Sequence, residues 1–80
     1  MARILVTEDD DSVRAFVARA LTLDGHQIDT AEDGADALDR LRAVGGAFDL
    51  LLSDIRMPMM DGIALAMEAA PQFPDRTILL

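Results

Sequence analysis

An apolar run that ends in a single carboxylate constrains this chain more than any other feature. The run is Phe48-Asp-Leu-Leu-Leu-Ser, and Asp54 follows it directly. A short, continuous apolar run is typical of a strand that is covered on both faces. Pro58 breaks the pattern, and Asp61-Gly62 then has the character of a helix start. Because ligands bind just outside the carboxyl ends of the strands in open α/β sheets, Asp54 stands where such a fold would present its chemistry.

Hydrophobic periodicity divides the rest of the chain into alternating strands and helices. Apolar and β-branched stretches predict strands at 2–7, 26–31, 48–53 and 77–80. The second of these is partly polar, which is typical of an edge strand. With a helix predicted in each interval, the short connections imply right-handed crossovers, a mostly parallel sheet and helices on both faces. The predicted fold class is therefore α/β with a doubly wound parallel sheet.

The predicted helices carry capping signals and apolar faces. Asp11 or Ser12 is expected to be the N-cap of the first helix, and Asp61 that of the third. The expected inner faces, in chain order, are Val13, Phe16, Val17, Ala20 and Leu21; then Ala37, Leu38, Leu41 and Val44; then Ile63, Ala66, Met67 and Ala70. Pro71 and Pro74 are expected to end the third helix.

Composition limits the classes of protein to which the chain can belong. Its 80 residues suffice for one small domain, and 51% hydrophobic residues argue against disorder. The absence of cysteine excludes disulfides and zinc thiolate sites. No apolar run approaches the roughly 20 residues of a membrane span, so we expect a cytoplasmic protein with no membrane partner. The net charge of −8 argues against direct binding to nucleic acid, and it reflects either solubility or carboxylates gathered to hold a cation.

A second group of carboxylates follows the first predicted strand. Glu8, Asp9 and Asp10 come directly after Thr7, and in a parallel sheet they would share an edge with Asp54. If strands 1 and 3 are neighbours, Asp9 and Asp54 meet, and carboxylates ~4–5 Å apart repel by roughly 3–4 kcal/mol at an effective dielectric near 20. Such a cluster takes up either a proton or a divalent cation, and oxygen ligands suit Mg²⁺. A carboxylate beside Mg²⁺ can also act as a nucleophile towards a phosphoryl group.

The motifs together resemble the receiver domain of two-component response regulators, the chemotaxis-type phosphoacceptor fold. The matching pieces are Ile4-Leu-Val-Thr-Glu-Asp9, Ala31-Glu-Asp-Gly34, Phe48-Asp-Leu-Leu-Leu-Ser-Asp54 and Met57-Pro-Met-Met-Asp-Gly62. The resemblance implies a flavodoxin-like sheet of strand order 2-1-3-4. It also implies that Asp54 is the phosphoacceptor, with Mg²⁺ bound by Asp9 directly, by Glu8 through water, by Asp54 and by the main-chain carbonyl of Arg56.

The resemblance further implies a role as a switch in bacterial signal transduction. A sensor histidine kinase or a phosphotransfer protein would supply the phosphoryl group, and the phosphorylated form would change its binding to a downstream effector protein. A receiver of this kind hydrolyses its own phosphoryl group slowly and is not an enzyme in the usual sense.

The sequence departs from the family pattern after the fourth strand. The family has a fifth strand and two more helices, a switch Ser/Thr at the end of strand 4 and a lysine at the end of strand 5. This chain contains no lysine, and Thr77 stands at the start of its fourth strand. It therefore resembles the N-terminal two-thirds of a receiver, incomplete after strand 4. We expect the uncovered edge to make an isolated monomer unstable, or to cause self-association through strand 4.

Other readings of the carboxylates stay open. A receiver-like module could bind a partner without being phosphorylated, and a similar fold could support a Mg²⁺-dependent phosphohydrolase. A toprim site requires Asp-x-Asp, which Asp54 does not begin, and a haloacid-type phosphatase is matched only loosely by Asp9 and Asp11. An EF-hand loop that began at Asp9 would place Arg14 where glycine is needed.

Overall fold

Four parallel strands form the sheet in the part of the chain that the structure describes. The computed structural model describes residues 2–44, 47–54, 60–73 and 77–79. The strands are β1 (Arg3–Thr7), β2 (Gln27–Ala31), β3 (Leu50–Ser53) and β4 (Thr77–Leu79). Their order is β2-β1-β3-β4, and every neighbouring pair is parallel. The predicted doubly wound sheet of order 2-1-3-4 is confirmed, as is the edge position of β2.

In the described ranges, three helices connect these strands: α1 (Asp11–Leu23), α2 (Gly34–Ala43) and α3 (Gly62–Gln72). The prediction that Asp61 caps α3 is confirmed, because its carboxylate accepts a hydrogen bond of 2.7 Å from the Ala64 amide. The predicted cap of α1 is wrong by one residue. Asp10 has the extended backbone that a cap needs, and its carboxylate accepts from the amides of Ser12 and Val13.

The main hydrophobic core lies between the sheet and the pair of helices α2 and α3. Leu5 and Leu51 contribute from neighbouring strands, and both are at most 2% exposed. The helices contribute Ala37, Leu38, Leu41, Leu65 and Ala69. The predicted inner face of α2 is confirmed, and Val44 packs against this core from the end of the helix.

The predicted inner face of α3 is wrong. Leu65 and Ala69 are 0% and 2% exposed, whereas Ile63 and Met67 are 50% and 73% exposed. The reason is that α3 packs against α2 as well as against the sheet, and this contact selects the line of Gly62, Leu65 and Ala69. Nor does Pro71 end the helix, since α3 continues to Gln72. Pro74 lies outside the described residues.

The helix α1 covers the opposite face of the sheet, as expected for a doubly wound fold. Val6 and Leu52 point to this face, because side chains alternate along a strand and Leu5 and Leu51 point to the other. The predicted inner stripe of α1 is only partly covered: Val17 and Leu21 are half-buried, but Phe16 is 74% exposed. Among the described residues, α1 is the only helix on this face, so no other described helix packs beside it. None of the described helices is long and apolar enough to cross a membrane.

Candidate functional site

Two neighbouring strands deliver acidic residues to the same edge of the sheet. β1 ends at Thr7 and β3 ends at Ser53, and these two residues face each other in the parallel ladder. The ladder continues for one more residue on each side of β1. The Asp54 amide donates to the Thr7 carbonyl at 3.1 Å, and the Glu8 amide donates to the Ala31 carbonyl at 3.1 Å. Sheet hydrogen bonds therefore fix the main chain of both Glu8 and Asp54.

The carboxylates of Glu8, Asp9 and Asp54 form a cluster at this edge. Each residue offers one oxygen, and these oxygens lie within 4.8 Å of one another. Asp9 and Asp54 are exposed, and Glu8 is half-buried. The sequence predicted that Asp9 and Asp54 would meet if their strands were neighbours, and the structure places them together. Arg56, whose carbonyl was predicted to bind metal, lies outside the described residues.

The cluster changes the protonation of Glu8. Burial raises the pKa of Glu8 to about 7, and the hydrogen bond and negative charge of Asp54, with the charge of Asp9, act in the same direction. The Asp9 amide donates to Glu8 Oε2 at 3.1 Å, which opposes the rise in pKa only in part. In the absence of a cation, a proton on Glu8 therefore relieves part of the repulsion below neutral pH, and it is donated towards Asp54.

The donor set of the cluster fits a hard divalent cation. Its ligands are carboxylate oxygens, with no nitrogen or sulfur ligand among the described residues. Mg²⁺ prefers such oxygen donors, uses one or two carboxylates and keeps several water molecules. The exposure of Asp9 and Asp54 leaves room for that water. Asp10 and Asp11, by contrast, have structural roles, as the cap of α1 and as the partner of Arg14.

Arg14 contacts the loop that carries Glu8 and Asp9, and the sequence did not indicate this contact. Its Nη1 donates to the main-chain carbonyl of Glu8 at 2.9 Å, and its Nη2 forms an ion pair with Asp11. The available signal was the spacing of Asp11 and Arg14, which is typical of a pair on a helix surface. That spacing gives no indication of a bond to a carbonyl outside the helix.

Two hydroxyl groups lie buried beneath the cluster. Ser53 is 4% exposed, and its Oγ donates to the carbonyl of Asp54 at 3.0 Å. Thr7 is 1% exposed, and its Oγ1 has no hydrogen-bond partner in the described part of the chain. A buried hydroxyl without a partner lowers the stability of the folded state.

Comparison with known proteins adds family relationships to this geometry. The profile of the response regulator receiver domain matches residues 4–80. The chain is 44% identical over 79 residues to the response regulator receiver protein CpdR of Brucella abortus, and the match covers 99% of this chain. It spans 64% of the length of CpdR, which is less than two thirds.

Solved structures of similar proteins share the fold closely. Response regulator protein TrrA from Thermotoga maritima, solved in complex with Mg(2+)-BeF, superposes with a TM-score of 0.92 and 38% identity over 100% of this chain and 68% of that one. A second structure holds histidine kinase ThkA in complex with response regulator protein TrrA. It matches with a TM-score of 0.87 and 37% identity over 98% of this chain and 66% of that one.

Proposed function

This chain belongs to the response regulator receiver domain family, and from that membership we propose that Asp54 accepts a phosphoryl group in two-component signal transduction. The observation that carries the proposal is the meeting of Glu8, Asp9 and Asp54 within 4.8 Å. Asp54 is exposed at the end of a sheet strand, so a phosphoryl donor can reach it. The ladder bond to Thr7 holds its main chain while the side chain reacts.

We propose that Mg²⁺ is the cofactor of this site. Asp9 and Asp54 would bind the ion directly, Glu8 would bind it through water, and the carbonyl of Arg56 would complete the protein ligands. When bound, Mg²⁺ neutralises charge on the carboxylates and on the transferring phosphoryl group. The complex of TrrA with Mg(2+)-BeF, in a relative that is 38% identical, supports this assignment.

The chemical step is carried by the Asp54 carboxylate. One of its oxygens forms a bond to phosphorus while the bond between phosphorus and the donor's leaving group breaks, and the leaving group keeps the electron pair. The product is an acyl phosphate on Asp54. Glu8 and Asp9 would supply negative charge to a bound cation, and the cation would favour the deprotonated form of Glu8, whose pKa is raised to about 7.

The proposed donor is a sensor histidine kinase or a phosphotransfer protein in the cytoplasm, and the proposed output is a change in binding to a downstream effector protein. The complex of ThkA with TrrA supports a kinase as the partner. The receiver would release its phosphoryl group slowly, so it acts as a switch and not as an enzyme that turns over a substrate.

The alternative is a receiver-like interaction module that is not phosphorylated. The observation that favours it is the exposure of apolar residues on α1, where Phe16 is 74% and Val13 is 45% exposed. A partner could cover these residues whatever the state of Asp54. Because Leu79 of the strand β4 is 54% exposed, we also propose that the chain self-associates through β4.

One experiment separates these functions. The protein is incubated with Mg²⁺ and acetyl phosphate, or with beryllofluoride, and the adduct is detected by intact mass or by fluorine NMR. We expect an adduct in the wild type and in Asp39→Asn, which alters an exposed aspartate of α2, but none in Asp54→Asn. Equal adduct formation in Asp54→Asn would refute the assignment of the acceptor. No adduct in the wild type would favour the interaction module, and sustained turnover of phosphate esters would favour a phosphohydrolase.

A further inference from the structure

Arg14 is held against the acidic loop and does not extend into solvent. Its side chain is 20% exposed, whereas that of its ion-pair partner Asp11 is 88% exposed. Its main-chain amide donates to the Asp10 carbonyl at 2.9 Å, and its Nη1 donates to the Glu8 carbonyl at 2.9 Å. A surface ion pair would need neither this burial nor a second acceptor. The guanidinium is therefore built into the β1–α1 loop.

The bond from Arg14 acts on the peptide unit that joins Glu8 to Asp9. This unit follows the end of β1, and the last ladder bond on this side of the strand is the one from the Glu8 amide to Ala31. Beyond that bond, the Glu8 carbonyl accepts from Arg14, and the Asp9 amide donates to the Glu8 carboxylate. Because the peptide unit is planar, bonds to its carbonyl and its amide together hold its plane, and this positions the Cα atoms from which both side chains leave the main chain.

We propose that Arg14 is a positioning residue for the cation site, an inference that rests on the proposed function. By donating to the Glu8 carbonyl, it orients the peptide from which the Glu8 and Asp9 carboxylates converge on Asp54. Arg14 contacts neither the phosphoryl group nor the cation in this account. It acts through the main chain, so its loss weakens Mg²⁺ binding without removing a ligand.

The chain offers a matched control for this inference. Arg40 also pairs with an aspartate of its own helix, Asp36, but its side chain is 50% exposed and its Nε donates to that carboxylate alone. Removal of Arg40 therefore makes the same change in net charge as removal of Arg14, and it leaves the Glu8 carbonyl bonded. Lysine at position 14 keeps the charge but lacks the planar fork that reaches two acceptors at once.

The test measures the Mg²⁺ dissociation constant by isothermal titration calorimetry, and the urea midpoint in EDTA for the same variants. We expect Arg14→Ala to weaken Mg²⁺ binding by about tenfold, which is typical for the loss of a group that orients metal ligands. Arg14→Lys should recover only part of that affinity, and Arg40→Ala should bind as the wild type does. Millimolar guanidinium should restore affinity to Arg14→Ala, whereas sodium at the same ionic strength should not.

The outcomes distinguish the positioning role from the proposed function. Wild-type affinity in Arg14→Ala, or in Arg14→Lys if the alanine variant does not fold, overturns the positioning role and leaves the function in place. The positioning role is also overturned if the variants lose Mg²⁺ affinity in proportion to the fall in their urea midpoint and guanidinium does not restore that affinity. Such a loss reflects the stability of the fold alone. Absence of both Mg²⁺ binding and a beryllofluoride adduct in the wild type overturns both proposals.

Discussion

Removal of the charge on Asp54 should stabilise the protein when no cation is present. In the cluster, Asp54 faces the carboxylates of Glu8 and Asp9 within 4.8 Å. Above the pKa of Glu8, which is about 7, Glu8 adds its negative charge to the cluster. Asp54→Asn keeps the shape of the side chain and removes both of its repulsive pairs. We therefore expect the variant to unfold at a higher urea concentration than the wild type in EDTA.

The separation in the cluster sets the size of this effect. At 4.8 Å, two unit charges repel by about 0.9 kcal/mol in a water-like dielectric and by about 3.5 kcal/mol at an effective dielectric of 20. Asp9 and Asp54 are exposed, so the lower figure applies to their pair. The two pairs of Asp54 together give about 1–2 kcal/mol at low ionic strength, and salt at physiological strength reduces this by roughly half, because its screening length of about 8 Å is not much longer than the separation.

The measurement is urea unfolding followed by circular dichroism, because the chain has no tryptophan or tyrosine for fluorescence. Protein concentration is held constant, and each variant is measured in EDTA and in excess Mg²⁺. With Mg²⁺ the order should reverse, since the wild type gains the free energy of cation binding that Asp54→Asn loses. Asp39→Asn should unfold at the same urea concentration as the wild type in both conditions. The electrostatic reasoning would be refuted if Asp54→Asn were no more stable than the wild type in EDTA. It would also be refuted if Asp54→Asn were more stable than the wild type by the same amount with and without Mg²⁺.

Four further predictions follow, three from this edge of the sheet and one from β4. Mg²⁺ at the proposed site would displace the proton of Glu8, so calorimetry should show affinity rising by up to about tenfold per pH unit below the Glu8 pKa and levelling off above it. Without Mg²⁺, the raised pKa of Glu8 means that the folded state binds more protons than the unfolded state between pH 4.5 and about 7. Urea unfolding should therefore show stability falling as pH rises through this range. A Mg²⁺ affinity or a stability that does not change with pH would contradict the corresponding prediction. Thr7→Val should raise the free energy of unfolding by about 1–2 kcal/mol, because it removes a buried hydroxyl without a partner, whereas Thr22→Val on the exposed face of α1 should change it little. Light scattering after size-exclusion chromatography should show self-association that Leu79→Lys reduces, and a folded, cooperative wild-type monomer would rule it out.

The sheet and the meeting of Asp9 with Asp54 could be predicted because they depend on strong local signals. Continuous apolar runs identified β1 and β3, and parallel topology brought their ends to one edge. The inner face of α3 could not be predicted, because this helix is apolar on nearly every side and Leu65 and Met67 are equally suited to a core. Only its contact with α2 decides between them.

Two details near the site depend on backbone conformation and leave no pattern of residue types. Any acid in the run from Asp9 to Asp11 could cap α1, and the extended conformation of Asp10 makes the choice. The bond from Arg14 ends on a main-chain carbonyl, which every residue possesses. Sequence reasoning can therefore find the ligands of such a site more readily than the groups that orient them.

The cluster is a repulsive arrangement that the sheet prevents from relaxing. Glu8 and Asp54 are tied to their neighbouring strands by main-chain hydrogen bonds, and Arg14 holds the peptide between Glu8 and Asp9. These bonds oppose a movement of the backbone that would separate the carboxylates, and a proton or a cation relieves their repulsion. It follows that part of the affinity of the proposed Mg²⁺ site would come from the repulsion that folding imposes on the unbound cluster. Variants that loosen the main chain, such as Arg14→Ala, should then weaken the proposed cation site by letting the carboxylates move apart, whereas the removal of a ligand weakens the site by loss of a bond.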